Sequence, residues 1–138
     1  MKNQVIKAAL FDLDGVVVFT DKYHYLAWKK LADENGWEFD EEVNQRLRGI
    51  PRIASLEEIL KHNNTDLPLE EKERLANIKN EYYVKMLENL NDGDIFTGAP
   101  EFIKALRDRG IKISLCSQAK TRNLCLISWV LLRFSTPL

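Results

Sequence analysis

Residues 5–13 (VIKAALFDL) form a nearly continuous apolar stretch of strand length that ends at carboxylates. That pattern predicts a strand buried on both faces of a parallel sheet. Ligands of open α/β sheets bind beyond the carboxyl ends of the strands, and here that edge is marked by Asp12, Asp14 and the turn residue Gly15. A helix is predicted from Thr20 or Asp21, with Tyr23, Ala27, Leu31 and Trp28 in an apolar stripe and an end near Asn35 and Gly36. Ser55-Leu56-Glu57-Glu58 fits a capping box and predicts a second helix start ahead of Ile59 and Leu60. Pro68 opens a third and longer helix through Leu75, Ile78, Tyr82 and Met86.

Beyond this helical block, Thr97-Gly98-Ala99-Pro100 predicts a turn, and residues 101–109 a short helix with Phe102, Ile103 and Leu106 on one face. Gly110 is its expected C-cap. Residues 111–115 (IKISL) then predict a second strand. Strand, helical insert, helix, strand is the order of an α/β parallel sheet carrying an inserted helical cap.

The chain has 138 residues, 45% hydrophobic and 30% charged, which fits a soluble globular protein and excludes a disordered or fibrous one. Its 20 basic and 21 acidic residues leave a net charge of -1, so no nucleic acid and no membrane surface is expected as partner. Cys116 and Cys125 lack metal-ligand or disulfide-framework spacing, and two buried thiols are expected. Lys2 and Lys7 precede an apolar stretch that Asp12 and Asp14 interrupt before a secretory core is complete, so a cytoplasmic location is expected. The apolar run 124–132 is short of the roughly 20 residues that span a bilayer. No acidic residue follows Asp108, and residues 124–138 have neither strand nor helix rhythm.

Phe11-Asp12-Leu13-Asp14-Gly15-Val16 is the sharpest chemical feature. Residues i and i+2 of a strand point to the same side, so both carboxylates can serve one centre, where a divalent cation would relieve their repulsion. The alternative is a solvated Asp-x-Asp-Gly turn.

The run FDLDGVV at 11–17, followed by Thr20-Asp21, His24 and Ala27-Trp28, resembles the opening of haloacid-dehalogenase-type (HAD) phosphatases and, more narrowly, of the β-phosphoglucomutases. The resemblance covers residue 4 to about residue 122. It implies a HAD-like Rossmannoid parallel sheet, incomplete here, with 1–18 and 95–138 as a partial core domain and 19–94 as the helical cap. It further implies Asp12 as nucleophile and metal ligand, and Asp14 as general acid/base whose backbone carbonyl also binds Mg²⁺.

By the same resemblance Ser117, which follows the second strand, contacts the transferring phosphoryl group, and Lys120 binds a substrate phosphate. A loop-capping hydroxyl is the alternative for Ser117. Gln118, Ala119 and Thr121 depart from the β-phosphoglucomutase pattern, which puts the contacts to the non-transferring phosphate in question. Arg52, approached through Gly49 and followed by Ser55, resembles the cap arginine that clamps a distant phosphate; a surface arginine before a helix is the alternative. His24 and Lys79 would couple cap closure to substrate binding, with Thr20 at the hinge. Trp28 falls in the substrate-side pattern but is expected to serve mainly as packing, and a half-buried histidine is the plainer reading of His24.

The implied reaction is phosphotransfer between β-glucose 1-phosphate and glucose 6-phosphate through an aspartyl-phosphate, with Mg²⁺ as cofactor, a small sugar phosphate as partner and a monomeric full-length form. One alternative is a sugar-phosphate phosphatase of the same superfamily. Another is a catalytically dead remnant, because the family's later lysine motif and acidic metal-binding motif have no counterpart in the sequence. The change of character after Lys120 reads as a frame shift or a truncated gene.

Overall fold

The computed structural model describes residues 6–116. Strand β1 (Ala8–Asp12) is followed by four helices, α1 (Asp21–Asn35), α2 (Glu41–Arg46), α3 (Arg52–His62) and α4 (Leu69–Met86). Short 3-10 turns at Leu87–Asn89 and Asp92–Asp94 lead to α5 (Ala99–Asp108) and β2 (Lys112–Cys116). β1 and β2 pair in parallel, from Ala8 opposite Lys112 to Asp12 opposite Cys116. The chain divides into two compact units, Met1–Asp21 with Leu90–Leu138, and Lys22–Asn89. A parallel sheet with helices inserted between its strands is therefore present, with two strands among the described residues.

In the Lys22–Asn89 unit, Trp28, Leu31, Phe39, Val43, Leu56, Ile59, Leu60 and Leu75 are among the buried residues of one apolar core. The helix predicted from Thr20 or Asp21 is α1, and its stripe is buried as expected. The α4 helix likewise starts at Leu69, directly after Pro68. The second helix differs from its expectation. It begins at Arg52 and not at Ser55, because Pro51 (φ -60°, ψ 154°) already supplies the extended residue that precedes a first turn. The Ser55 N–H donates to the Pro51 carbonyl at 2.8 Å, and its side chain is buried inside the helix, so it caps nothing.

The α2 helix escaped the periodicity reading because it buries Val43 alone. Its signal lay in capping: the Asp40 carboxylate accepts from Val43 N at 2.9 Å, and Glu41 and Glu42 fill the electropositive first turn.

In the other unit, Leu13, Val17, Val18 and Ile103 are buried, with Phe11, Ile113 and Leu115 packed against them. The helix expected at 101–109 starts earlier, at Ala99, because Pro100 fits the first helical turn. It covers one sheet face, where Phe102 meets Phe11 edge-on at 6.0 Å. β1 is not buried on both faces among the described residues. Its residues alternate exposed and half-buried, and Leu10 is 73% exposed on the face away from α5. Cys116 shares that face and is exposed, not buried, since the helix packs on the other side of the strand pair. Cys125 lies outside the described residues.

The Lys22–Asn89 unit should depend more on its apolar core than on its caps. Leu56→Ala, at a fully buried position, should destabilise it by about 2–5 kcal/mol. Asp40→Ala should cost about 1 kcal/mol. Urea unfolding followed by far-UV circular dichroism measures both, and the reverse order would contradict this ranking.

Candidate active site

β1 ends in Asp12, and the chain turns at once. The Leu13 N–H continues the ladder to the Cys116 carbonyl at 3.1 Å, while the Leu13 carbonyl accepts the N–H groups of Val16, Val17 and Val18 at 3.3, 3.0 and 3.0 Å. Gly15, at φ +75°, makes so tight a reversal possible without the strain a side chain would meet. With Leu13 fully buried between them, the carboxylates of Asp12 and Asp14 stay at the surface, Asp12 exposed and Asp14 half-buried.

The two carboxylates are held differently. Asp12 Oδ1 accepts the N–H of Leu13 at 2.9 Å. Asp14 Oδ1 accepts the hydroxyl of Thr20 at 2.7 Å. Thr20, buried to 1% exposure, stands immediately before α1, where the chain leaves this unit. Sequence reading set Thr20 at the hinge; the structure joins it directly to Asp14.

The outgoing and returning chains are pinned side by side. The Phe19 N–H donates to the Asp94 carbonyl at 2.7 Å, the Phe96 N–H to the Val17 carbonyl at 3.0 Å, and the Phe19 and Phe96 rings meet edge-on. Asp94 is itself buried, and its carboxylate accepts the Asn91 N–H at 3.0 Å in a capping box. Sequence reading missed this pair, although Asn91-x-x-Asp94 carries the capping spacing.

The Lys22–Asn89 unit gathers a second set of candidates, all cationic or aromatic. Lys79 is 3% exposed, and its Nζ lies 2.9 Å from His24 Nδ1. Its ammonium sits over the rings of Trp28 (4.9 Å) and Tyr83 (5.2 Å), and the His24 ring stacks on Tyr83 at 3.9 Å. Burial, then the charges of Lys79 and Arg52, push the His24 imidazole down to about 3. Burial and the Arg52 charge bring Lys79 down to about 7. Burial also lowers Arg52. With the imidazole neutral, its Nδ1 can accept from Lys79 Nζ.

Trp28 belongs to the apolar core while lending its face to Lys79. Tyr83 was missed, because the stripe was drawn through Tyr82; its signal was its place one helical turn beyond Lys79. Arg52 occupies the first turn of α3, whose N-cap Pro51 makes no side-chain capping bond. Gly49 precedes it at φ +76°, in an exposed loop. Ser117 and Lys120 lie outside the described residues.

For a divalent metal, the described residues offer hard oxygen donors at Asp12 and Asp14 and no cluster of three or more acidic, histidine or cysteine ligands. That set suits Mg²⁺, which takes one or two carboxylates and keeps several waters.

Comparison with known proteins agrees with this geometry. Beta-phosphoglucomutase of Bacillus subtilis (strain 168) is 38% identical over 117 residues, covering 83% of this chain and 52% of that protein. The phosphorylated carbohydrates phosphatase of Thermotoga maritima is 26% identical over 122 residues, covering 86% and 52%. The crystal structure of a β-phosphoglucomutase from Clostridium difficile superimposes with a TM-score of 0.67 at 41% identity, over 80% of this chain and 51% of that one. The chain spans about half the length of the curated relatives it matches. The model of the haloacid dehalogenase-like hydrolases matches residues 6–126, and with Asp12 and Asp14 leaving the end of a parallel strand, the chain belongs to that family.

Proposed function

We propose that the protein serves β-phosphoglucomutase-type phosphotransfer on a sugar phosphate, with Asp12 as phosphoryl acceptor and Asp14 as general acid/base. The observation that carries the reading is the unequal holding of the two carboxylates: Asp12 exposed at the strand end, Asp14 oriented by the buried Thr20 hydroxyl. One carboxylate is thus free to meet substrate, and the other is aimed.

An Asp12 carboxylate oxygen attacks phosphorus in line, an O–P bond forms, and the bond to the leaving sugar oxygen breaks. Asp14 gives that oxygen its proton and later takes one from the attacking hydroxyl. Thr20 restricts the rotation of Asp14, so the proton donor is positioned before substrate arrives. Mg²⁺, held by Asp12 and the Asp14 backbone carbonyl, would neutralise charge at the phosphoryl oxygens.

A sugar bisphosphate carries two phosphates, and Arg52, which resembles the family's cap arginine, has the chemistry for the one that does not react. Its guanidinium presents a planar fork, and the uncapped first turn of α3 adds N–H groups that favour an anion. In the same reading His24 and Lys79 couple cap closure to substrate binding, Gly49 and Ser55 flank Arg52 in sequence, and Ser117 and Lys120 are further phosphate contacts. A sugar-phosphate phosphatase is the second reading, favoured by the likeness to the Thermotoga maritima phosphatase. Formation of glucose 6-phosphate from β-glucose 1-phosphate with a bisphosphate primer supports the mutase; release of inorganic phosphate supports the phosphatase.

Asp12→Asn should abolish labelling by radioactive acetyl phosphate, since an amide is a poor nucleophile. Asp14→Asn should keep the label but slow transfer to sugar by about 10²- to 10⁴-fold. Labelling of Asp12→Asn would overturn the assignment. Arg52→Ala should weaken turnover of a sugar phosphate more than turnover of acetyl phosphate, which has no second phosphate to grip. Equal losses on both substrates would make Arg52 a structural residue.

A further inference from the structure

We propose that Asp94 is a positioning residue for Asp14, acting through a backbone clip on residues 17–19. The proposal deepens the reading of Asp14 as general acid/base and rests on it. Every residue it uses belongs to the unit formed by Met1–Asp21 and Leu90–Leu138. Asp94 is 2% exposed, although Asp92 and Gly93 just before it are exposed. A carboxylate so buried costs free energy unless hydrogen bonds hold it. It accepts the Asn91 N–H at 3.0 Å, while Asn91 Oδ1 accepts the Gly93 N–H at 2.9 Å, so the acid closes the turn by which the chain returns.

The closed turn delivers the returning backbone to the outgoing chain. The Asp94 carbonyl accepts the Phe19 N–H at 2.7 Å, Ile95 bridges Val18 in antiparallel register, and the Phe96 N–H donates to the Val17 carbonyl at 3.0 Å. The clipped residues are the ones that hold Asp14. Val18 accepts, at 2.9 Å, the N–H of Gly15, which directly follows the acid. Thr20, directly after Phe19, gives its hydroxyl to Asp14 Oδ1 at 2.7 Å. Val18 thus anchors Asp14 through the main chain and Thr20 through the side chain, and both anchors depend on the clip. Asp12 is placed differently: it ends the β1–β2 ladder opposite Cys116, and its Oδ1 accepts the Leu13 N–H. Loosening the clip should therefore disturb the proton-transfer group and spare the phosphoryl acceptor.

Two half-reactions of the whole chain separate these roles. Labelling by acetyl phosphate forms the bond from Asp12 to phosphorus and releases acetate, which leaves without a proton. Transfer breaks that bond as a sugar hydroxyl attacks phosphorus and gives its proton to Asp14. Asp94→Ala should take the label as fast as the unaltered chain but transfer it to sugar about ten- to a hundredfold more slowly, the scale on which a misplaced group loses rate. Asp94→Asn should recover most of the transfer rate, because its amide oxygen can still accept the Asn91 N–H. Thr20→Val should also slow transfer, and combining it with Asp94→Ala should slow it no further than the slower single change, since both act on one carboxylate by one route. If Asp94→Ala fails to fold, Asn91→Ala, at an exposed position of the same turn, takes its place with the same expected split. Equal loss of labelling and transfer, unchanged transfer, or effects that multiply in the double variant each overturn the proposal. Asp14→Asn tells the two readings apart: if it slows transfer and Asp94→Ala does not, only the positioning role falls. If Asp14→Asn leaves transfer unchanged, the general acid/base reading falls and this proposal with it. An unaltered chain that takes no label overturns the phosphoryl-acceptor reading and the proposal together.

Discussion

The carbonyl of Leu13 is the point on which the carboxylate loop depends. It takes the N–H groups of Val16, Val17 and Val18, while the N–H of the same residue extends the strand ladder to Cys116. One residue thus ends the strand and closes the loop behind it. Its fully buried side chain lies with Val17, Val18 and Ile103, so the loop cannot shift without exposing apolar surface. That constraint explains the Asp-Leu-Asp pattern: the apolar residue goes in, and the acids on either side stay out. Orientation of the acids is then a local matter, settled for Asp14 by Thr20.

Thr20 links the loop to the crossing of the two chain segments, because the preceding residue, Phe19, is tied to Asp94 and Val17 is tied to Phe96. Val17 and Phe19 through their backbone, and Thr20 through its hydroxyl, therefore take part in placing one carboxylate. Asp94 contributes through both its carbonyl and its buried carboxylate, the latter satisfied by the Asn91 N–H. A buried acid so satisfied is inexpensive to keep, and it stiffens the place where a chain would otherwise bend.

Much of this was legible in the sequence, for reasons that differ by element. α1 and α4 announced themselves by long apolar stripes, and the parallel strands by apolar runs ending at polar turns. The placing of Asp12 and Asp14 together at a strand end was legible because the apolar run stops at them and Gly15 follows. The α3 start was misplaced because a capping motif at Ser55 competes with a proline, and the proline prevailed through its fixed backbone angle. Contacts between residues far apart in sequence were not legible from pattern. The stacking of His24 on Tyr83 joins α1 to α4, and no periodicity within either helix encodes it. The exposure of Cys116 was likewise hidden, since it depends on which sheet face α5 covers.

The net charge of -1 conceals a segregation that matters more than the sum. Asp12 and Asp14 gather two acids at one loop, while the bases Arg52 and Lys79 and the neutral His24 gather in the other unit. Stability does not call for the second concentration. A lysine at 3% exposure whose side-chain partner is a histidine and not a carboxylate costs folding energy, and an apolar residue of similar size would fill the same space at lower cost. Its neighbours do not remove that cost. The rings of Trp28 and Tyr83 and a neutral imidazole offset part of it, while Arg52 adds to it.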